Sequence, residues 1–185
     1  MLILASASPR RRQLLASLGL EFEARPQDCA EHSTAPDPAD YVVEIAMQKA
    51  LSAQRGADAR DLILAADTVV CLGGQILGKP RDEAEARSML RRLSGATHRV
   101  CTGMALLQGE RRLTHCEQTD VTFYALSEQM IDWYVSTGEP LDKAGAYGIQ
   151  GKGALLVRRV EGDFYNVIGL PVAPLVRLLQ QFSAD

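Results

Sequence analysis

Residues 62–80 read LILAADTVVCLGGQILGKP. Two strand-like apolar runs flank Gly73–Gly74, the pair of residues that a two-residue hairpin turn favours. Residues 2–15, LILASASPRRRQLL, have a different grammar. An apolar strand gives way to Ser8 and Pro9, an N-cap and a first helical position, and Leu14, Leu15 and Leu18 then recur on one helical face until Gly19. A chain that uses both hairpins and strand-to-helix transitions builds a mixed sheet with helices on it.

The remaining segments fit this frame. EFEARP reads as a short strand. Tyr41, Val42, Ile45, Ala46 and Lys49 follow helical spacing between Pro38 and about Arg55. A helix is expected from about Asp82 to Leu93, long strands near 97–108 and 111–124, and a helix from Ser127 to Thr137, stopped by Gly138. Residues 142–153, DKAGAYGIQGKG, read as a glycine-rich loop, followed by two short strands and a final helix from Pro171. The fold class expected is α/β, and the 185 residues suit one domain, or one domain of two closely joined lobes.

Composition narrows the partners. Hydrophobic residues make up 46% and charged residues 23%, with a net charge of −3, so no basic surface advertises a nucleic-acid polymer. Arg10–Arg11–Arg12 is a local cluster, suited to a small anion. No apolar run approaches the ~20 residues of a membrane span, and arginines by residue 10 interrupt any signal-peptide core. Cys29, Cys71, Cys101 and Cys116 lack metal-binding spacing, and His32, His98 and His115 are scattered. Free thiols and a cytoplasmic location are expected.

Several residues have the chemistry of a phosphate site. A helix N-terminus offers unpaired N–H groups and the positive end of a dipole, Ser6 and Ser8 add hydroxyls, and Arg10 and Arg11 offer forked donors. A solvated run of surface charge is the plainer alternative. GGQILGK, residues 73–79, matches the start of a Walker A loop, but Pro80 stands where the magnesium-binding Ser or Thr belongs. That reading is rejected.

Counting outward from the hairpin turn sets Thr68 opposite Lys79 and Asp67 opposite Pro80. A carboxylate inside this apolar run is expensive to bury alone, and Lys79 or a metal ion would supply a partner. Ideal pleating points Asp67 and Thr68 to opposite faces, so Asp67 meets Lys79 only through a bulge or a strand end; turn capping is the alternative role. Lys49 lies one turn beyond Ile45 on an apolar helix face, from which it either reaches across a cleft or snorkels to water. Glu31 lies in an irregular segment, and Gln150 sits in a loop that either wraps a ligand or merely connects.

Taken together, the stretches LASASPRRRQLL, RPQDCAEH, YVVEIAMQKA, AADTVV, GKPRD, LSGATHRVCTG, DVTF, YVSTGEPLDKAGAYGIQGKG and NVIGLP resemble the Maf family of nucleotide pyrophosphatases, in the family's order and over nearly the whole chain. DKAGAYGIQG is similar to the branch acting on dTTP and UTP. The resemblance implies an elongated mixed sheet with flanking helices, two lobes around a central cleft, and a single domain over residues 1–185. It implies hydrolysis of an α–β phosphoanhydride to a nucleoside monophosphate and pyrophosphate. Asp67 would be the catalytic base and, with Glu31, a ligand of Mg2+ or Mn2+. Arg10, Thr68 and Gln150 match the specificity positions, and Ser8, Arg11, Glu31, Lys49 and Lys79 the phosphate and metal pocket. The sequence departs from the family at Ala30, where an acidic residue is expected beside Glu31. The family also suggests a homodimer, and its link to arrest of septum formation leaves a regulatory nucleotide binder as the alternative function.

Overall fold

The computed structural model describes residues 1–27 and 29–183. Seven strands, β1 (Leu2–Leu4), β2 (Glu23–Ala24), β3 (Leu62–Leu72), β4 (Gln75–Leu77), β5 (Thr97–Gln108), β6 (Arg111–Phe123) and β7 (Val157–Glu161), pair in the order β2-β1-β3-β5-β6-β7, with β4 on β3 off that path. β1 pairs parallel to both β2 and β3, whereas β3–β4 and β6–β7 are antiparallel. The expected mixed sheet is present. Helices α1 (Pro9–Ser17), α2 (Pro38–Gln54), α3 (Glu83–Leu93), α4 (Glu128–Ser136), α5 (Phe164–Ile168) and α6 (Val172–Ser183) accompany it.

Residues cluster into two compact units. The first comprises Met1–Asp67, Thr102–Glu117 and the chain from Gly169, and the second comprises Thr68–Cys101 and Gln118–Ile168. The chain thus leaves the first unit inside β3, between Asp67 and Thr68.

In the first unit, Ala46, Ala50 and Ala53 of α2 meet Ile63 and Ala65 of β3 and Ala105 and Leu107 of β5. Alanines at helical spacing let α2 lie close to the strands. Gly103 completes the approach, since a Cβ there would stand 2.5 Å from the Val42 carbonyl carbon and oxygen. In the second unit, Leu90 and Leu93 of α3, Ile131 and Tyr134 of α4, and Phe123 of β6 share one core.

Local signals set most boundaries. Ser8 caps α1, with Pro9 opening the helix, and Asp37, Asp82 and Ser127 cap α2, α3 and α4 through their side chains. Gly73 and Gly74 take φ of 58° and 80°, the left-handed pair of a two-residue hairpin turn, and the register runs Leu72↔Gln75, Cys71↔Ile76, Val70↔Leu77.

Four expectations change. β4 ends at Leu77, so the hairpin ladder never reaches the Thr68–Lys79 level. Residues 139–156 hold three 3₁₀ turns (Glu139–Asp142, Ala144–Ala146 and Gly151–Leu156) rather than an irregular loop. Two strands were expected beyond residue 153; one forms, and α5 replaces the other because the Asp163 carboxylate accepts the N–H groups of Tyr165 and Asn166. Leu18 is also more open than its spacing suggests: α1 ends at Ser17, which leaves it 37% exposed while Leu14 and Leu15 are buried.

Candidate functional site

The N-terminus of α1 is held by serines. Ser8 Oγ accepts the Arg11 N–H at 3.4 Å, and Ser6 Oγ accepts both the Ser8 N–H and Arg11 Nη1, each at 3.2 Å. Arg11 is 9% exposed, and its Nε donates to the Gly169 carbonyl at 2.8 Å. Burial lowers the basicity of this guanidinium, the nearby Asp67 carboxylate acts in the opposite direction, and Arg10 beside it lowers it further. Arg11 therefore ties Ser6, two residues beyond β1, and the first turn of α1 to the backbone at Gly169, in a field that Asp67 and Glu31 help to set. The sequence flags the serines and arginines here; it contains no signal for the Gly169 contact, 158 residues away.

The close approach of α2 to the sheet decides the fate of Lys49. Its Nζ donates to Asp67 Oδ1 at 2.7 Å and stands 2.9 Å from Glu31 Oε1. The Lys49 and Asp67 side chains are 14% and 15% exposed, and Glu31 is 49% exposed. Asp67 thus finds its cation on α2, not at Lys79, and Lys49 does not snorkel. Two carboxylates converge on one ammonium midway along β3; solvent screens the sheltered Asp67–Lys49 pair only weakly, while Glu31 is half-exposed. Each partner also offsets the desolvation of the others.

Thr68, Lys79 and Gln150 belong to the second unit. Thr68 is half-buried on β3, Lys79 is exposed beyond β4, and Gln150 is exposed immediately before the third 3₁₀ turn. The segment around Gln150 is anchored by residues whose functional bearing the sequence reading passed over. Tyr147 is buried, and its Oη lies 2.7 Å from His98 Nε2. Phe123 packs edge-on against both rings. Burial pushes His98 down to about 4, with the Asp120 carboxylate opposing only in part, and it raises the Tyr147 phenol. The imidazole is neutral at physiological pH. The signal available in the sequence was strand alternation: between the polar Thr97 and Arg99, His98 shares its face with Val100, and both prove to be buried.

Comparison with known proteins adds the family. Residues 1–182 match the model of the family described as Maf-like protein. The chain belongs to the Maf family. A Maf relative from Bacillus cytotoxicus named dTTP/UTP pyrophosphatase is 51% identical over 183 residues, covering 98% of this chain and 95% of the relative. Another with the same name, from Bacillus mycoides, is 50% identical over 185 residues, covering 100% of this chain and 96% of the relative. Among solved structures, a HAM1 protein from Coxiella burnetii matches with a TM-score of 0.55 at 19% identity, covering 97% of this chain and 98% of that one. At that identity the likeness concerns the fold. Among the described residues, no helix is long and apolar enough to cross a membrane.

Proposed function

We propose that this Maf protein, acting as one domain over its length, hydrolyses the α–β phosphoanhydride of dTTP and UTP to the nucleoside monophosphate and pyrophosphate. The observation that carries the reading is the Asp67–Lys49–Glu31 cluster in the same unit as the serine-capped, arginine-bearing start of α1. The full-length relatives named dTTP/UTP pyrophosphatase supply the substrate class.

A divalent cation, Mg2+ or Mn2+, fits the residues present. Glu31 and Asp67 already share one positive charge, the donor set a hard cation prefers. Among the described residues no group of three or more His, Cys, Asp or Glu side chains forms a full cage. Phosphate oxygens and water would complete the ligand set, as is usual for Mg2+. When bound, such a cation supplies charge neutralisation on the phosphates and acidifies water.

The side chains do the rest. Asp67 orients the attacking water and accepts its proton, a role that requires the carboxylate to be ionised. Lys49 holds that carboxylate in place through its hydrogen bond to Oδ1. Arg10, Arg11, Lys49 and Lys79 offset the charge of the triphosphate and the Ser8 hydroxyl adds a hydrogen-bond donor, while Arg10, Thr68 and Gln150 select the base. The Gln150 amide offers a carbonyl and an NH₂, which complement the N–H and carbonyls of uracil and thymine.

The test is pyrophosphate release from a panel of dTTP, UTP, CTP and purine triphosphates, with wild type and Asp67→Asn. Asn keeps the shape but accepts no proton, so kcat is expected to fall by ~10²-fold or more with the fold intact. Near wild-type turnover by a folded Asp67→Asn variant would refute the assignment of the base. Absence of turnover on dTTP and UTP by wild type refutes the activity itself.

A further inference from the structure

Gln150 is exposed, yet the backbone on either side of it is among the most constrained in its unit. Gly145, at φ 67°, packs so closely that a Cβ would stand 2.9 Å from the Val70 side chain. Ala146 follows at φ 60°, among the described residues the one non-glycine in the left-handed region, a conformation that persists only where the surroundings impose it. Then comes Tyr147 with its hydroxyl on His98. Gly148 donates its N–H to Tyr134 Oη at 3.2 Å, and Ile149 is buried. Beyond Gln150, the Lys152 N–H donates to Glu139 Oε1 at 3.3 Å, and a Cβ on Gly153 would stand 2.1 Å from the Gly148 carbonyl oxygen.

Most of these anchors are what tight packing demands. The His98–Tyr147 pair is not. His98 is 3% exposed, and its buried Nδ1 has no hydrogen-bond partner among the described residues, a cost that a phenylalanine in the same aromatic cluster would avoid. What histidine at 98 adds over an apolar ring is the hydrogen bond between its Nε2 and Tyr147 Oη. What tyrosine at 147 adds over phenylalanine is the oxygen that completes it. Apolar contact is nondirectional and tolerates sliding, whereas a buried hydrogen bond selects one placement.

We propose that His98 and Tyr147 are positioning residues that fix the backbone three residues before Gln150, so that its amide meets the base in one orientation. This rests on the reading of Gln150 as a base-selecting residue. A Gln amide free to rotate by 180° would match cytosine, with its reversed donor and acceptor, as well as uracil. Discrimination against CTP therefore comes from the device that holds the loop, not from the amide alone.

The experiment measures kcat/KM for UTP and CTP in wild type, Gln150→Ala, Tyr147→Phe and the double variant, with thermal melting of each. Tyr147→Phe removes one oxygen and keeps the ring packing. It is expected to compress the UTP-to-CTP ratio by roughly three- to tenfold, the range of one neutral hydrogen bond, with no further compression in the double variant. His98→Gln, which retains a hydrogen-bonding amide, is expected to keep the ratio nearer wild type than His98→Leu. A loss of stability alone would lower both substrates together. If Gln150→Ala compresses the ratio while folded Tyr147→Phe leaves it at the wild-type value, the positioning role is overturned and the role of Gln150 stands. If Gln150→Ala leaves the ratio unchanged, both are overturned. Should Tyr147→Phe fail to fold, equal ratios in His98→Gln and His98→Leu overturn the pairing.

Discussion

His98 makes the stability of this protein depend on pH in a way that can be isolated. The perturbation is His98→Gln, which removes the titrating ring and keeps a polar partner for Tyr147. In the folded chain burial holds the imidazole at about 4, against 6.5 in the unfolded chain. Between those values the unfolded state binds the proton and the folded state does not, so stability falls as pH drops from about 6.5 to about 4 and levels off below. The full displacement is worth about 3 kcal/mol, and at pH 5 about 2 kcal/mol of it is already lost. Asp120, which Arg99 holds below the usual carboxylate range, also weakens the fold in acid, but it does so in wild type and variant alike. The assay is urea unfolding of both proteins at pH 7.5 and pH 5. The stability difference between them is expected to shift by about 2 kcal/mol in favour of His98→Gln at the lower pH. Parallel stability curves across this range would refute a neutral, desolvated His98.

Two further perturbations test the frame of the site. Lys49→Met leaves the carboxylates of Asp67 and Glu31 without their shared cation; a fully buried pair broken this way costs 3–5 kcal/mol, and this partly exposed one is expected to cost about 2 kcal/mol. Added MgCl2 should then raise the Tm of Lys49→Met more than that of wild type, and equal responses would argue against the two carboxylates as a cation site. Gly103→Ala drives a methyl group into the backbone of α2 at Val42 and Val43, where no side chain can yield, and about 1–3 kcal/mol or more of stability is expected to be lost in urea unfolding. A change below about 0.5 kcal/mol, the scale of an ordinary surface substitution, would show that α2 does not lie against β5 as described.

Where the determinant was local, the chain could be read directly. Ser8–Pro9, Gly73–Gly74 and Gly138 act through backbone geometry and hydrogen bonds within a few residues, and the helix start, hairpin register and helix stop all lie where those residues put them. The serines and arginines at the start of α1 and the glycine-rich run with Gln150 stand out in the chain for the same reason, and the Gln150→Ala variant tests the base chemistry proposed for that run. Short elements carry a weaker local pattern. The 3₁₀ turns between Glu139 and Leu156 have too few residues for periodicity to register, and α5 is five residues long.

The partner of Asp67 belongs to neither group. Along the chain, the hairpin offered Lys79 as a nearby candidate, and alternation along the strand argued against it without naming a replacement. Lys49 became the partner because the alanine face of α2, opposite Gly103, brings that helix close enough for a lysine chain to reach the middle of β3. The same holds for Arg11 on Gly169 and His98 on Tyr147. The contacts join residues 18, 158 and 49 positions apart, and they exist because burial in a packed unit leaves a polar group no partner in water.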